Sequence, residues 1–257
     1  MIQIPLEPFY VFMLVLIRVG FIMAFFPLMG ETFIPVRVRV LMAFVISLAI
    51  APVAPVTAAQ LPGSIMGFAL LVLSEALFGF AIGFVGKIVF AIIQFAGQIA
   101  GEQMGFGLVN AIDPTGSHQT SVVAELQYVM AVLIFLAGNF HHGFLAAAAA
   151  SFQTLPPGAA VAGNGLAALM SGLGGMMFAM AVKFAMPIIV IVFAINVGLG
   201  MIARAVPQIN VFMESFPLRI MAGVSVLLIS IGFMATQWQN MMGGIDGMLM
   251  SVIKAMS

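Results

Sequence analysis

Gln94, Gln98 and Glu102 recur every four residues, which sets two amides and a carboxylate on one helical face. Such a face can hydrogen-bond a neighbouring helix, hold a polar substrate or line water. It cannot face lipid cheaply, because the carboxylate alone would cost about 2.5–3.5 kcal/mol at mid-bilayer. Gly97, Gly101 and Gly105 recur at the same interval on the adjoining face, and repeated small residues let two backbones approach closely. The stretch therefore either packs inside its own bundle or turns toward another subunit or a pore, and its polar density favours the latter.

The next segment runs Met104-Gly105-Phe106-Gly107-Leu108-Val109-Asn110, then through Ile112-Asp113-Pro114 to Thr120. Gly, Asn and Asp-Pro form turns, yet the first half is apolar. Irregular apolar chain at membrane depth is tolerated only where it is buried in protein or lines a cavity. The segment is thus a candidate gate, with a connector tucked against the bundle as the alternative.

Four charges, Arg18, Glu75, Glu125 and Lys183, interrupt apolar runs. Charges in such places face a bundle interior and pair, or form an ion relay. Their balanced signs favour structural pairs, but the sequence does not assign the partners.

Carriers of enzyme chemistry are scarce. The chain has no cysteine, so thiolate nucleophiles, disulfides and cysteine-ligated metals are excluded. Gly86-Lys87 is followed by Ile88, where a phosphate-binding loop needs Ser or Thr. His141 and His142 are adjacent, so on a helix they point about 100° apart, which suits paired metal ligation poorly. His118 stands alone, and no His-Glu-x-x-His or Gly-x-Ser-x-Gly motif occurs. Asp113 and Asp246 lie outside the clear apolar runs, which argues against an aspartyl protease. No enzyme, cofactor or metal centre is expected.

The elements that must position these residues are apolar helices. Apolar residues make up 63% of the 257 and charged residues 6%, against roughly 25% charged in a soluble domain. Eight basic and eight acidic residues cannot coat a globule of this size, so the chain belongs in a bilayer or buried in an assembly. Zero net charge excludes a basic nucleic-acid binder.

A membrane-crossing helix needs about 20 apolar residues. Phe9–Met29, Val40–Val56, Ile65–Gly86, Val122–Gly138, Leu173–Ala203 and Ile220–Trp238 meet that need, and Ile88–Ala100 and Phe144–Leu155 are shorter. The fold expected is an all-α integral membrane protein with about six to eight apparent hydrophobic helices. Met1–Pro8 lacks the basic start of a signal peptide, so the first run is expected to be retained. Leu173–Ala203 would reach about 45 Å, and Pro187 is expected to kink it. Pro35 and Pro217 each stand where an apolar helix could open. Arg37, Arg39, Lys87, Arg204 and Arg219 collect on one face in either count, which the positive-inside rule makes cytoplasmic. Met241, Ile245, Met248, Leu249 and Val252 form a helical stripe behind Trp238. It predicts an interfacial helix, or one docked on a neighbour, with Trp238 at interface depth.

Three stretches carry a resemblance. They are Ile34–Arg39 with the run to Pro52, Ala96–Gly107 continuing through Asp113-Pro114, and Asn196–Phe212 followed by Phe216-Pro217-Leu218. Together they resemble the FliR family of flagellar biosynthesis proteins and its type III secretion counterparts. The resemblance implies kinked helical hairpins built into a helical export-gate assembly. It implies a single domain over 1–257, with about 1–170 FliP-like and about 171–257 a FliQ-like hairpin. It implies FliP-like and FliQ-like subunits in a hetero-oligomer, FlhB-like and FlhA-like neighbours, and unfolded flagellar proteins as cargo. The site would be the bacterial inner membrane at the flagellar basal body. The family's pore plug would fall on Met104–Thr120, and the seam residues Gln94, Gly97, Gln98, Gly101 and Glu102 would pack subunits. An injectisome gate shares the pattern, and a small-solute transporter or a structural scaffold remains open.

Overall fold

The computed structural model describes residues 7–26, 34–54, 64–107, 121–158, 164–206 and 210–256. These hold eight helices and, among the described residues, no strand. They are α1 Glu7–Phe25, α2 Val36–Ile50, α3 Ile65–Met104, α4 Val122–Ala137, α5 His141–Thr154, α6 Asn164–Ala205, α7 Val211–Gly243 and α8 Ile245–Met256. The all-α membrane class expected from the sequence is the class observed.

The number of spans differs. Among the described residues four helical stretches are long and apolar enough to cross a membrane, with a fifth if the broken pair α4 and α5 counts as one crossing. The two runs separated in the sequence at Gly86-Lys87 are one 40-residue helix, α3. A lysine does not break a helix, having high helix propensity itself, so hydropathy marked a boundary the backbone ignores. Between α4 and α5 the interruption is real. Asn139 stands there at φ 54, a left-handed conformation that asparagine tolerates better than most residues. The helix α2 has only 15 residues, short of the length needed to cross.

The prolines fall differently too. Pro35 precedes α2 with φ −56 and ψ 141, at the helix start as expected. Pro217 lies inside α7 instead of opening it, and Pro187 lies inside the 42-residue α6.

Packing divides the chain into two units interleaved in sequence: Met1–Ile88, Asn139–Gly174 and Met242–Ser257 in the first, Val89–Gly138 and Gly175–Met241 in the second. In the first unit α1 lies on α3, and Gly79 and Gly83 of α3 face the Arg18 and Ile22 carbonyls of α1, leaving no room for a Cβ. Phe26 meets Phe144 of α5 edge-on at 5.1 Å. The amphipathic α8 buries Ile245, Leu249, Val252 and Ile253 and packs on α5 of the same chain, so its docking partner is internal. Asp246 lies against Gly143 in the first turn of α5, where a carboxylate complements the positive helix end.

In the second unit Ala100 and Met104 of α3, Val123 of α4, Ile188 and Val192 of α6 and Leu227 of α7 form one buried cluster. In the same unit Trp238 is buried at 1% exposure and meets Phe184 edge-on, so it is a core residue of this fold.

Candidate functional site

The end of α3 is built by hydrogen-bond chemistry that leaves nothing to chance in direction. The Phe106 N–H donates to the Gly101 carbonyl at 3.0 Å and the Gly105 N–H to the Glu102 carbonyl at 3.1 Å. This is the Schellman termination, in which a left-handed residue satisfies the last free carbonyls. Gly105 supplies that residue, with φ +98. A Cβ on it would also stand 2.8 Å from the Phe216 ring of α7. Phe106 folds back on the cluster that holds Met104, the apolar contact that usually accompanies this ending.

The chain returns at Ser121, which caps α4. Its Oγ accepts from the Val123 N–H at 3.2 Å, and its own N–H donates to Gln98 Oε1 at 2.9 Å. The other end of the Gln98 amide donates to Glu102 Oε1 at 2.9 Å. The polar seam is thus partly used inside the chain: one glutamine ties the start of α4 to the exposed Glu102 carboxylate. The glycine seam shows why α3 and α4 can be this close. At Gly97 a Cβ would collide with the Ala124 backbone, and at Gly101 with Ser121. The close approach expected of these two glycines is made to this chain's own α4. Gln94 and Gln98 are half-buried and Glu102 is exposed.

In the first unit the Arg18 guanidinium is fully buried beside an equally buried Glu75. Nε and Oε2 are 2.6 Å apart, and one terminal nitrogen reaches Oε1 at 3.1 Å, a two-point pairing. The remaining donors reach Ser151 Oγ at 3.1 Å and the Leu155 carbonyl at 3.2 Å. Glu75 Oε1 also accepts from the Gly158 N–H at 3.2 Å. The rings of Phe78 and Phe152 lie 4.6 and 4.1 Å from the guanidinium carbon, giving cation–π support on top of the hydrogen bonds. α1, α3, α5 and the turn after α5 are therefore joined through one charge pair.

The other two charges are not drawn into that arrangement. Glu125 is exposed in the first turn of α4, where a carboxylate suits the helix dipole. Lys183 is exposed on α6. Of the proposed gate segment, Met104 ends α3 and is buried against Gly223. Gly105, Phe106 and Gly107 follow and are half-buried. Leu108, Val109, Asn110, Ile112, Asp113 and Pro114 lie outside the described residues, as does His118. Among the described residues no group of His, Asp and Glu is disposed to hold a metal.

Some participants were not singled out from the sequence. Ser151, Phe78 and Phe152 give no local signal, because they converge on Arg18 from distant segments. Ser121 was findable as the capping type immediately before an apolar helix. Gly79 and Gly83 were findable as a second pair four residues apart.

The family model for bacterial export proteins, family 1, matches residues 9–245. The chain belongs to this family. Its similarity to curated members is spread along the chain. It is 29% identical over 238 residues to the flagellar biosynthetic protein FliR of Escherichia coli, covering 93% of this chain and 90% of that one. With FliR of Bacillus subtilis the identity is 30% over 230 residues, 87% of each. With that of Pectobacterium carotovorum it is 32% over 201 residues, 78% of this chain and 76% of the relative. This family-1 export protein is a membrane component of flagellar biosynthesis, as the three sequence stretches implied.

Proposed function

We propose that this chain is a single-copy subunit of the flagellar export gate in the bacterial inner membrane, at the basal body. It would assemble there with FliP-like and FliQ-like subunits, next to FlhB-like and FlhA-like components, into a channel for unfolded flagellar proteins. The observation that carries the reading is the exposed apolar surface of the second unit. Met186, Val190, Phe193 and Val197 of α6 are exposed. Met213, Met221, Leu228, Ile229 and Phe233 of α7 all stand exposed. So much apolar surface needs lipid or other hydrophobic subunits to cover it. In this reading the chain performs no bond chemistry. It is a passive wall and gate, and the energy for export is supplied by other components.

The segment after the α3 ending supports a gating role. Gly105 aims the chain by its backbone, Phe106 clips it to the core, and the apolar residues Leu108, Val109 and Ile112 follow in sequence. A mobile seal needs a firm anchor and an apolar, irregular body, and this stretch has that composition.

Native mass spectrometry of the tagged chain, extracted gently from its own membrane, tests the assembly. The expected result is one copy bound to several copies of two other hydrophobic proteins. A reproducible monomer or homodimer that shows saturable binding of a small solute would transfer the assignment to a transporter.

A further inference from the structure

Helix α6 carries a charge that the described residues leave without a counter-ion. Lys183 lies near mid-helix, about 29 Å from the Asn164 end and about 33 Å from the Ala205 end at 1.5 Å per residue. It is exposed, and among the described residues it makes no ion pair; the buried pair joins Arg18 to Glu75. Lys183, Met186, Val190, Phe193 and Val197 are all exposed. Their steps of three and four residues make one stripe, the spacing by which two helices interlock. Ala181, Phe184, Ala185, Ile188 and Val192 are buried and fall on the opposite side of the helix at 100° per residue. The Lys183 stripe is therefore the face turned away from its own unit.

Pro187 sharpens the chemistry of that face. It has no N–H, so the Lys183 carbonyl, four residues back, loses its ordinary intrahelical donor. One turn thus offers an ammonium and an under-used carbonyl among apolar side chains. Hydrocarbon can satisfy neither.

The chain itself shows what a charge in such surroundings requires, since Arg18 has a two-point carboxylate and further acceptors. Among the described acids of a second copy, Glu75 is consumed by Arg18, and Glu7, Glu102, Glu125, Glu214 and Asp246 stand in terminal turns of their helices and not along a helix face. We infer that the Lys183 stripe receives an apolar helix of a different polypeptide that carries an Asp or Glu opposite Lys183, so that the ion pair sets the register of that seam. This inference rests on the multi-subunit reading above.

The intact membrane-extracted assembly is the material for the test. A carbodiimide joins an ammonium to a carboxylate only at ion-pair range. The expected product is a cross-link from Lys183 to an acidic residue of another polypeptide, missing in Lys183→Arg and Lys183→Met. Assembly yield is expected to fall several-fold in Lys183→Met and to be retained in Lys183→Arg, while the isolated variant chains melt like the parent in detergent. Normal assembly of Lys183→Met overturns the inference, as does a cross-link that maps to a second copy. Full modification of Lys183 in the intact assembly by a hydrophilic amine reagent overturns it as well, by showing the residue open to water. In the first and third cases partners still bind, so the export-gate reading survives; a cross-link to a second copy would also refute its single-copy stoichiometry, and a parent chain without partner polypeptides would defeat that reading as a whole.

Discussion

At the residue scale the Arg18–Glu75 pair carries the largest single energetic consequence. Both side chains are fully buried, so removing one leaves the other charged, dry and unpaired. Breaking such a pair costs about 3–5 kcal/mol, whereas replacing both partners with apolar residues of similar volume is often close to neutral. Arg18→Met is therefore expected to destabilise the detergent-solubilised chain by several kcal/mol, and Glu75→Gln by less, because the amide still accepts one hydrogen bond. The double variant Arg18→Met/Glu75→Leu should recover much of the loss. Denaturation midpoints of the four proteins decide it: a double variant as unstable as the sum of the singles would mean that the pair is not the coupled unit the geometry describes. The sequence showed four charges of balanced sign. Only Arg18 and Glu75 meet, because the fold brings α1 and α3, 57 positions apart at this pair, side by side.

At the element scale the junction of α3 and α4 turns on Gly101. Ser121 occupies the space that a side chain there would need, and Ser121 is also the cap of α4. Gly101→Leu is expected to push the α4 start away and break its cap. Overpacking costs about 1–3 kcal/mol, and the lost cap about 1 kcal/mol more. The variant chain should melt below the parent even before any partner is added, and Ser121→Ala should show the smaller, cap-only loss. A Gly101→Leu chain that melts normally but fails to assemble would place the critical contact on another subunit instead. The glycine spacing was readable in the sequence, while the identity of the helix filling it was not: a small-residue face says that a backbone comes near, not whose.

At the scale of the whole molecule the described chain buries the Arg18–Glu75 pair and leaves apolar faces on α2, α6 and α7 exposed. That inversion is stable only with lipid or further hydrophobic protein around it. The gate belongs to this scale, since a seal has meaning only in an assembled channel. Deleting Phe106–Ile112 is expected to raise the ion conductance of the reconstituted assembly by at least several-fold while the complex still forms. An unchanged conductance in a fully assembled deletion variant would remove the plug assignment and leave the segment a connector.

The sequence by itself determined the class of this protein. A chain with 63% apolar and 6% charged residues has one way to satisfy its backbone in lipid without closing a barrel, and that is the helix. Local chemistry was legible as well: the apolar runs, Gly105 after the last helical residue, Ser121 before the next helix, and the stripe of α8. Tertiary structure decided what depends on distant segments meeting. It merged the runs on either side of Lys87 into one helix, because hydropathy falls at a lysine while hydrogen bonding does not. It buried Trp238, filled Gly97 and Gly101 with α4, and chose Arg18 and Glu75 out of four charges while leaving Lys183 facing outward. Periodicity fixes which residues share a face, but only packing decides what that face meets.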